Sequence, residues 1–255
     1  MDDTTLPVPV APALPVAEIE AIVTRQRRAS GLVMSAVNAA GSRLESRLEL
    51  LPDRIKDQIE RVAAKALEKS YQLAGRTVAE GGPKIGERGH LALATLGGAL
   101  GGLSGAASAI AELPVKVTVI FRSIQGIAAD YGFDPRDEAI RLEWLRVFGS
   151  GSPLERDDGV NTSVLGARMT VTGAALNGVI STVAPRFAAK MGEKLAAQAV
   201  PFLGSVAGAG INHAFVSYYQ EMAHVRFGLM RLARDHGEEA VLDAYRAACA
   251  TQIAK

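Results

Sequence analysis

The chain has 255 residues, 48% of them hydrophobic, and its 28 Lys and Arg against 27 Asp and Glu leave a formal charge of +1. That length fits one large domain or two small ones with a substantial core, and the balance excludes the global positive field of a nucleic-acid binder. One cysteine, Cys249, excludes an internal disulfide and any cysteine-based zinc cluster.

Residues 1–16 (MDDTTLPVPVAPALPV) are acidic and carry prolines at 7, 9, 12 and 15, which predicts an extended, disordered arm. They have no basic n-region, so they do not read as a secretory signal, and a cytoplasmic location is the default expectation. From Val16 the pattern turns helical. Ile19, Ile22, Val23, Leu32, Val33, Ala36, Val37, Ala40, Leu44 and Leu48 recur at three-and-four spacing, with Arg25, Arg27 and Arg28 clustered among them. Pro52 opens a second helix that turns Ile55, Ile59, Val62, Ala66 and either Leu67 or Leu73 inward. The stretch 80–83 (EGGP) breaks it.

Residues 91–111 (LALATLGGALGGLSGAASAIA) are 21 positions without a charge. Gly97, Gly101 and Gly105 stand four apart, and Gly98 and Gly102 form a second pair beside them. On a helix these share a face, and such strips in apolar 20-mers let backbones approach closely, as helices do inside a bilayer. The glycine helix is expected to end near Glu112, with Pro114 starting the next helix and Gly132 closing it. Asp134 and Pro135 read as the N-cap and first position of a helix carrying Ile140, Leu142, Trp144, Leu145 and Val147. Residues 149–160 form a connection within one bundle. A weakly charged helix follows over 161–184, and Pro185 starts an amphipathic one exposing Arg186, Lys190, Glu193 and Lys194. A second uncharged run, 195–220, repeats the small-residue theme with Gly204 and Gly208. Within it Pro201 starts the longest helix, reaching about Asp235 and capped at Gly237. The last helix runs from Glu238 to about Ile253, with acids in its first turn. No stretch alternates as a strand would. The chain therefore reads as all-α, a single bundle of about seven to nine helices over 17–255 with two Gly/Ala-rich helices at its centre.

Length alone lets 91–111 cross a bilayer. Its five glycines, and the lack of Trp or Tyr at either end, argue against a span. The second run holds Gln198, Asn212, His213 and Gln220, which are costly in lipid. A central helix of a water-soluble bundle and a hairpin that docks on a membrane in one state both fit. Residues 21–90 carry 13 Lys and Arg against eight Asp and Glu. That excess favours an anionic leaflet, though solvated helix faces give the same count.

Few residues carry chemistry. The run GGALGGLSG lacks the Lys-Ser/Thr and the preceding strand of a phosphate loop. His90, His213, His224 and His236 show no i, i+3 or i, i+4 spacing, so no metal is expected, and no cofactor motif is present. There is no GxSxG elbow. His213, beside Asn212, reads as a hydrogen-bonded core histidine, and the role of His224 is open. Phe215, Tyr218 and Tyr219 read as core or as an interfacial anchor. Glu112 and Arg122 read as a buried ion pair that fixes helix register. They read alternatively as part of a polar site with Lys190, Lys194 and Asn212.

Several strings in order resemble the EcsC family. They are GGALGGLSGAASAIAELPVKVTVIFRSIQGIA (97–128) and KMGEKLAAQAVPFLGSVAGAGINHAF (190–215). The marks of the resemblance are Glu112-Leu113-Pro114, Arg122-Ser123-Ile124, Lys190 and Lys194, Pro201 to Gly204, Asn212, and RLARDHG at 231–237. It covers about residues 50–240. One departure is AHVRF (223–227), where the family pattern has a histidine just before the phenylalanine and this chain has Arg226. The family is named for a protein encoded beside two ABC-type transporter subunits, and the resemblance implies no reaction. The expectation is a non-enzymatic accessory protein at the cytoplasmic face of the inner membrane, contacting lipid or a membrane protein. An enzyme or small-ligand site around Glu112, Arg122, Lys194 and Asn212, and a soluble homo-oligomeric scaffold, are the other expectations.

Overall fold

The computed structural model describes residues 13–29, 31, 53–79, 86–90, 92, 105–148, 176–185, 187 and 205–253. Among them all regular structure is helical. The six long helices are α1 (Val16–Ala29), α2 (Asp53–Ala79), α3 (Gly105–Asp130), α4 (Glu138–Phe148), α5 (Ser205–His236) and α6 (Glu238–Ile253). Shorter helical pieces cover 87–90 and 176–185.

Periodicity explains which faces turn inward. On α1, Ile19, Ile22 and Val23 are buried. On α2, Ala63, Ala66, Leu67, Ser70, Tyr71 and Ala74 are buried while Leu73 is exposed, which settles the choice between Leu67 and Leu73. The core is aromatic at its centre. Phe121 packs against Tyr71, Trp144 and Phe148, and Phe148 continues to Phe187 and Tyr219. Phe215 and Tyr218 meet Tyr219 edge to face. All three are buried, so this cluster is core rather than an interfacial anchor.

Two helix starts differ from expectation. Pro114 does not begin a helix, because α3 runs unbroken from Gly105 to Asp130. The proline deprives the Ile110 carbonyl of a donor. The face formed by Val117, Ile120, Phe121, Ile124, Ile127 and Ala128 is buried, and that packing outweighs one lost bond. Helix α4 begins at Glu138, not at Pro135. Asp134 accepts the Arg136 amide at 2.9 Å and caps a separate turn, while Asp137 accepts the Ala139 amide at 2.9 Å and is the true N-cap.

The ends follow the sequence closely. Gly132 (φ 79°) ends α3, with the Phe133 amide bonded to Ala128 O and the Gly132 amide to Ala129 O. That is the double bond pattern of a Schellman cap. Gly237 (φ 90°) ends α5 with one bond to Ala233 O, and α6 follows at once.

The pairings set helix directions. Glu18, Ile22 and Arg25 of α1 meet Arg231, Gly228 and Glu221 of α5, so these two run antiparallel. Ser123 meets Gln220 and Tyr131 meets His224, so α3 and α5 run in the same direction. Helix α6 packs back on α1, where the Tyr245 hydroxyl donates to Gln26 Oε1 and Cys249 Sγ lies 3.8 Å from the same oxygen. Cys249 is half-buried.

Candidate functional site

A polar seam follows α5 at four-residue spacing. Gln220 is buried, and its Nε2 donates to Ser123 Oγ at 2.8 Å and to the Glu87 carbonyl at 3.1 Å. One turn on, His224 stands between two partners. Its Nε2 lies 3.1 Å from Glu87 Oε1 and its Nδ1 lies 3.3 Å from the Tyr131 hydroxyl. One turn further, Gly228 leaves room for both neighbours. A Cβ there would stand 3.1 Å from Ile22 Cδ1 and 3.6 Å from Tyr131 Cε1. Arg231 then lies over the Tyr131 ring at 5.9 Å and pairs with Glu18. Beside the seam, Arg25 pairs with Glu221 at 3.1 Å.

The chemistry of the array follows from its tautomers. With the proton on Nε2, His224 donates to the Glu87 carboxylate and accepts from the Tyr131 hydroxyl, which satisfies all three groups. Burial pushes the Tyr131 phenol above its usual value, while Arg25 and Arg231 pull it down and Glu221 and Glu87 push it up. Tyr131 therefore stays protonated at neutral pH and acts as a donor, not as a phenolate. The array ties the segment 86–90 to α3 and α5 immediately before the uncharged run begins.

A second polar centre is drier. Glu143 of α4 accepts from Arg226 Nε at 2.5 Å and from Arg146, with the Glu143 and Arg226 side chains 7% and 6% exposed. It joins α4 to α5. It is a buried ion pair of the kind expected of Glu112 and Arg122, whose own pairing lies outside the described residues. Its signal in the sequence is a charge inside an apolar window: Glu143 in IRLEWLRVF and Arg226 in HVRFGLM.

The residues singled out from sequence fall as follows. Gly97, Gly98, Gly101, Gly102, Lys190, Lys194 and Gly204 lie outside the described residues. Gly105, Glu112, Gly208 and Asn212 lie on the helical backbone of α3 or α5, with their side-chain surroundings outside the described residues. Arg122 is half-buried on α3, beside buried Ser123 and Ile124. His213 is exposed, which corrects its reading as a core histidine. It stands just before Ala214, Phe215 and Val216, which are buried. The seam itself was missed. Gln220 and His224 share an i, i+4 face in the sequence, but Glu87 and Tyr131 carry no local sign that they would meet it. Among the described residues, no group of three or more His, Cys, Asp or Glu is placed to hold a metal ion. No helix among them is long and apolar enough to cross a membrane.

The EcsC protein family model matches residues 33–232. The chain belongs to the EcsC family. No curated protein and no solved structure matches it. The matched EcsC region takes in α2 to α4 and most of α5, and with them the whole of the Gln220–His224 seam except its α1 partners. Helices α1 and α6 lie outside the match and pack on each other through Gln26 and Tyr245.

Proposed function

We propose that this EcsC protein is a non-enzymatic helical accessory that works at the cytoplasmic face of a membrane, against lipid or a membrane protein of an ABC-type transport system. The observation that carries the reading is the shared direction of α3 and α5. Residues 117–128 of α3 and 214–232 of α5 contribute to the packed core, and the polar seam lies between them. Their N-terminal ends, GAASAIAELP (105–114) and SVAGAGINHA (205–214), hold a single charged residue between them, Glu112. Because the two helices run the same way, both low-charge ends lie towards one end of the helix pair. The uncharged residues 91–104 lead into the first of them. Two neighbouring helix ends of such low charge suit a protein that presents this side to a membrane or to an apolar partner. The Lys and Arg excess in 21–90 adds attraction to an anionic surface.

Fractionation of native cells with a carbonate wash tests the proposal. Recovery with membranes, released by carbonate, supports a peripheral role. Recovery in the soluble fraction at every ionic strength overturns it in favour of a soluble scaffold. Retention through carbonate overturns it in favour of an integral protein.

A further inference from the structure

A cation lies against the aromatic core with no carboxylate paired to it among the described residues. Arg141, on α4, places its guanidinium carbon 4.7 Å from the Tyr71 ring centroid and 5.8 Å from that of Trp144. Gly75 of α2 makes the room, since a Cβ there would overlap the guanidinium. Among the described residues no acid pairs with Arg141, and its buried Nε has no acceptor. Glu138, exposed one turn earlier, opposes Arg141 in its effect on the Tyr71 phenol but does not pair with it.

Two further donors are orphaned nearby. Trp144 Nε1 is without an acceptor on a side chain 0% exposed, and Gln125 Nε2 is without one on a side chain 4% exposed. Helices α3 and α4 form a hairpin in which Phe121 meets both Trp144 and Phe148. One turn further along α3, Gln125 stands on the same face as Phe121. Buried donors without acceptors are rare and costly, and each asks for an occupant. A water molecule satisfies the donors but brings no negative charge to the guanidinium. An oxyanion satisfies both, and a planar guanidinium fork suits a carboxylate or phosphate group.

We propose that Arg141, Trp144 and Gln125 form a binding site for an oxyanion, a carboxylate or phosphate group carried by a free small anion or by the head of a lipid. Arg141 clamps the charge, and the indole and amide N–H groups complete its coordination. The aromatic rings hold the guanidinium in place by cation–π contact. Arg141 is only half-buried, so the site opens to solvent on its side. It is separate from the seam on α5, and its test needs no membrane.

Trp144 is the only tryptophan of the chain, so its emission reports on the site directly. The full-length protein is titrated with inorganic phosphate, with acetate and with monomeric dihexanoyl phosphatidic acid, each against chloride at matched ionic strength. A saturable change in emission with at least one probe, and none with chloride, is the expected result. Saturation by phosphate or acetate identifies a free anion as sufficient, and saturation by the lipid alone identifies a headgroup. Arg141→Gln is expected to weaken binding at least tenfold. Gly75→Ala, which displaces the guanidinium without removing it, should weaken it similarly. Far-UV circular dichroism checks that both variants fold, and Arg141→Lys, which keeps the charge but loses the fork, should fall between them and the parent. No saturable change with any probe in the folded parent overturns the proposal, as does unchanged affinity in folded Arg141→Gln.

Discussion

Removing Glu143 should destabilise the bundle more than removing Arg226, although the two form one ion pair. Glu143 serves two cations, Arg226 and Arg146. Replacing it with leucine leaves Arg226, 6% exposed, without this carboxylate in a dry setting. Breaking a buried pair in this way costs about 3–5 kcal/mol. Arg226→Met leaves Glu143 with Arg146, which is 17% exposed, so its cost should lie near or below about 3 kcal/mol. In a chain of this size each kcal/mol moves the thermal midpoint by about 2–4 °C. Glu143→Leu should therefore lower the midpoint by roughly 6–20 °C. The double variant, with neither charge, should cost less than the sum by about 1–3 kcal/mol. Urea and thermal unfolding followed by circular dichroism measure all three. Single variants within about 1 kcal/mol of the parent, or a strictly additive double, would refute a buried, coupled pair.

Gly132→Ala and Gly237→Ala each force a side chain into positive φ (79° and 90°) and should cost about 1 kcal/mol, read as a lower urea midpoint; unchanged midpoints would contradict the caps. Burial raises the phenols of Tyr71, Tyr131 and Tyr219 above the ordinary value of 10.0. The folded state thus favours their neutral form, so stability is complete below that value and falls as pH climbs through the higher folded values. Urea midpoints should hold below about pH 10 and drop as the pH rises above it, less steeply in Tyr219→Phe; a flat profile would count against the burial of these rings. His224→Ala removes the tie between Glu87 and Tyr131, so trypsin should cut after Arg88 faster in the folded variant, and an unchanged digestion rate would show that the seam does not hold 86–90. Gly101 lies outside the described residues; a close helix contact along the glycine strip predicts that Gly101→Leu costs about 1–3 kcal/mol, and an unchanged thermal midpoint would count against that contact.

Helix ends were the most legible part of the sequence. Gly132, Gly237 and the break before Glu238 act locally, through φ and a few backbone bonds, so one residue announces each. Pro114 misled because its local penalty competes with burial of six apolar side chains further along the same helix, and only the tertiary structure weighs the two. Asp134 and Asp137 both have the chemistry of an N-cap, and the choice between them depends on where α4 must begin to bury Ile140 and Trp144. The EcsC signature was legible because its motifs are short, ordered strings. The polar seam was not, since Glu87, Ser123, Tyr131 and His224 are brought together by the packing of three elements and no periodicity connects them. Glu143 and Arg226 were visible only as charges in apolar windows, a sign that a charge is buried and silent about its partner.

Liposome flotation tests the membrane-face proposal most directly. Vesicles of neutral phosphatidylcholine and of phosphatidylcholine with anionic phosphatidylglycerol are incubated with the full-length protein at low and high salt. The proposal predicts flotation with anionic vesicles that weakens as salt screens the basic surface over roughly 8 Å at physiological ionic strength. A salt-resistant remainder is expected where the uncharged helix ends engage lipid. No flotation with either lipid at any salt would contradict lipid contact at the membrane face.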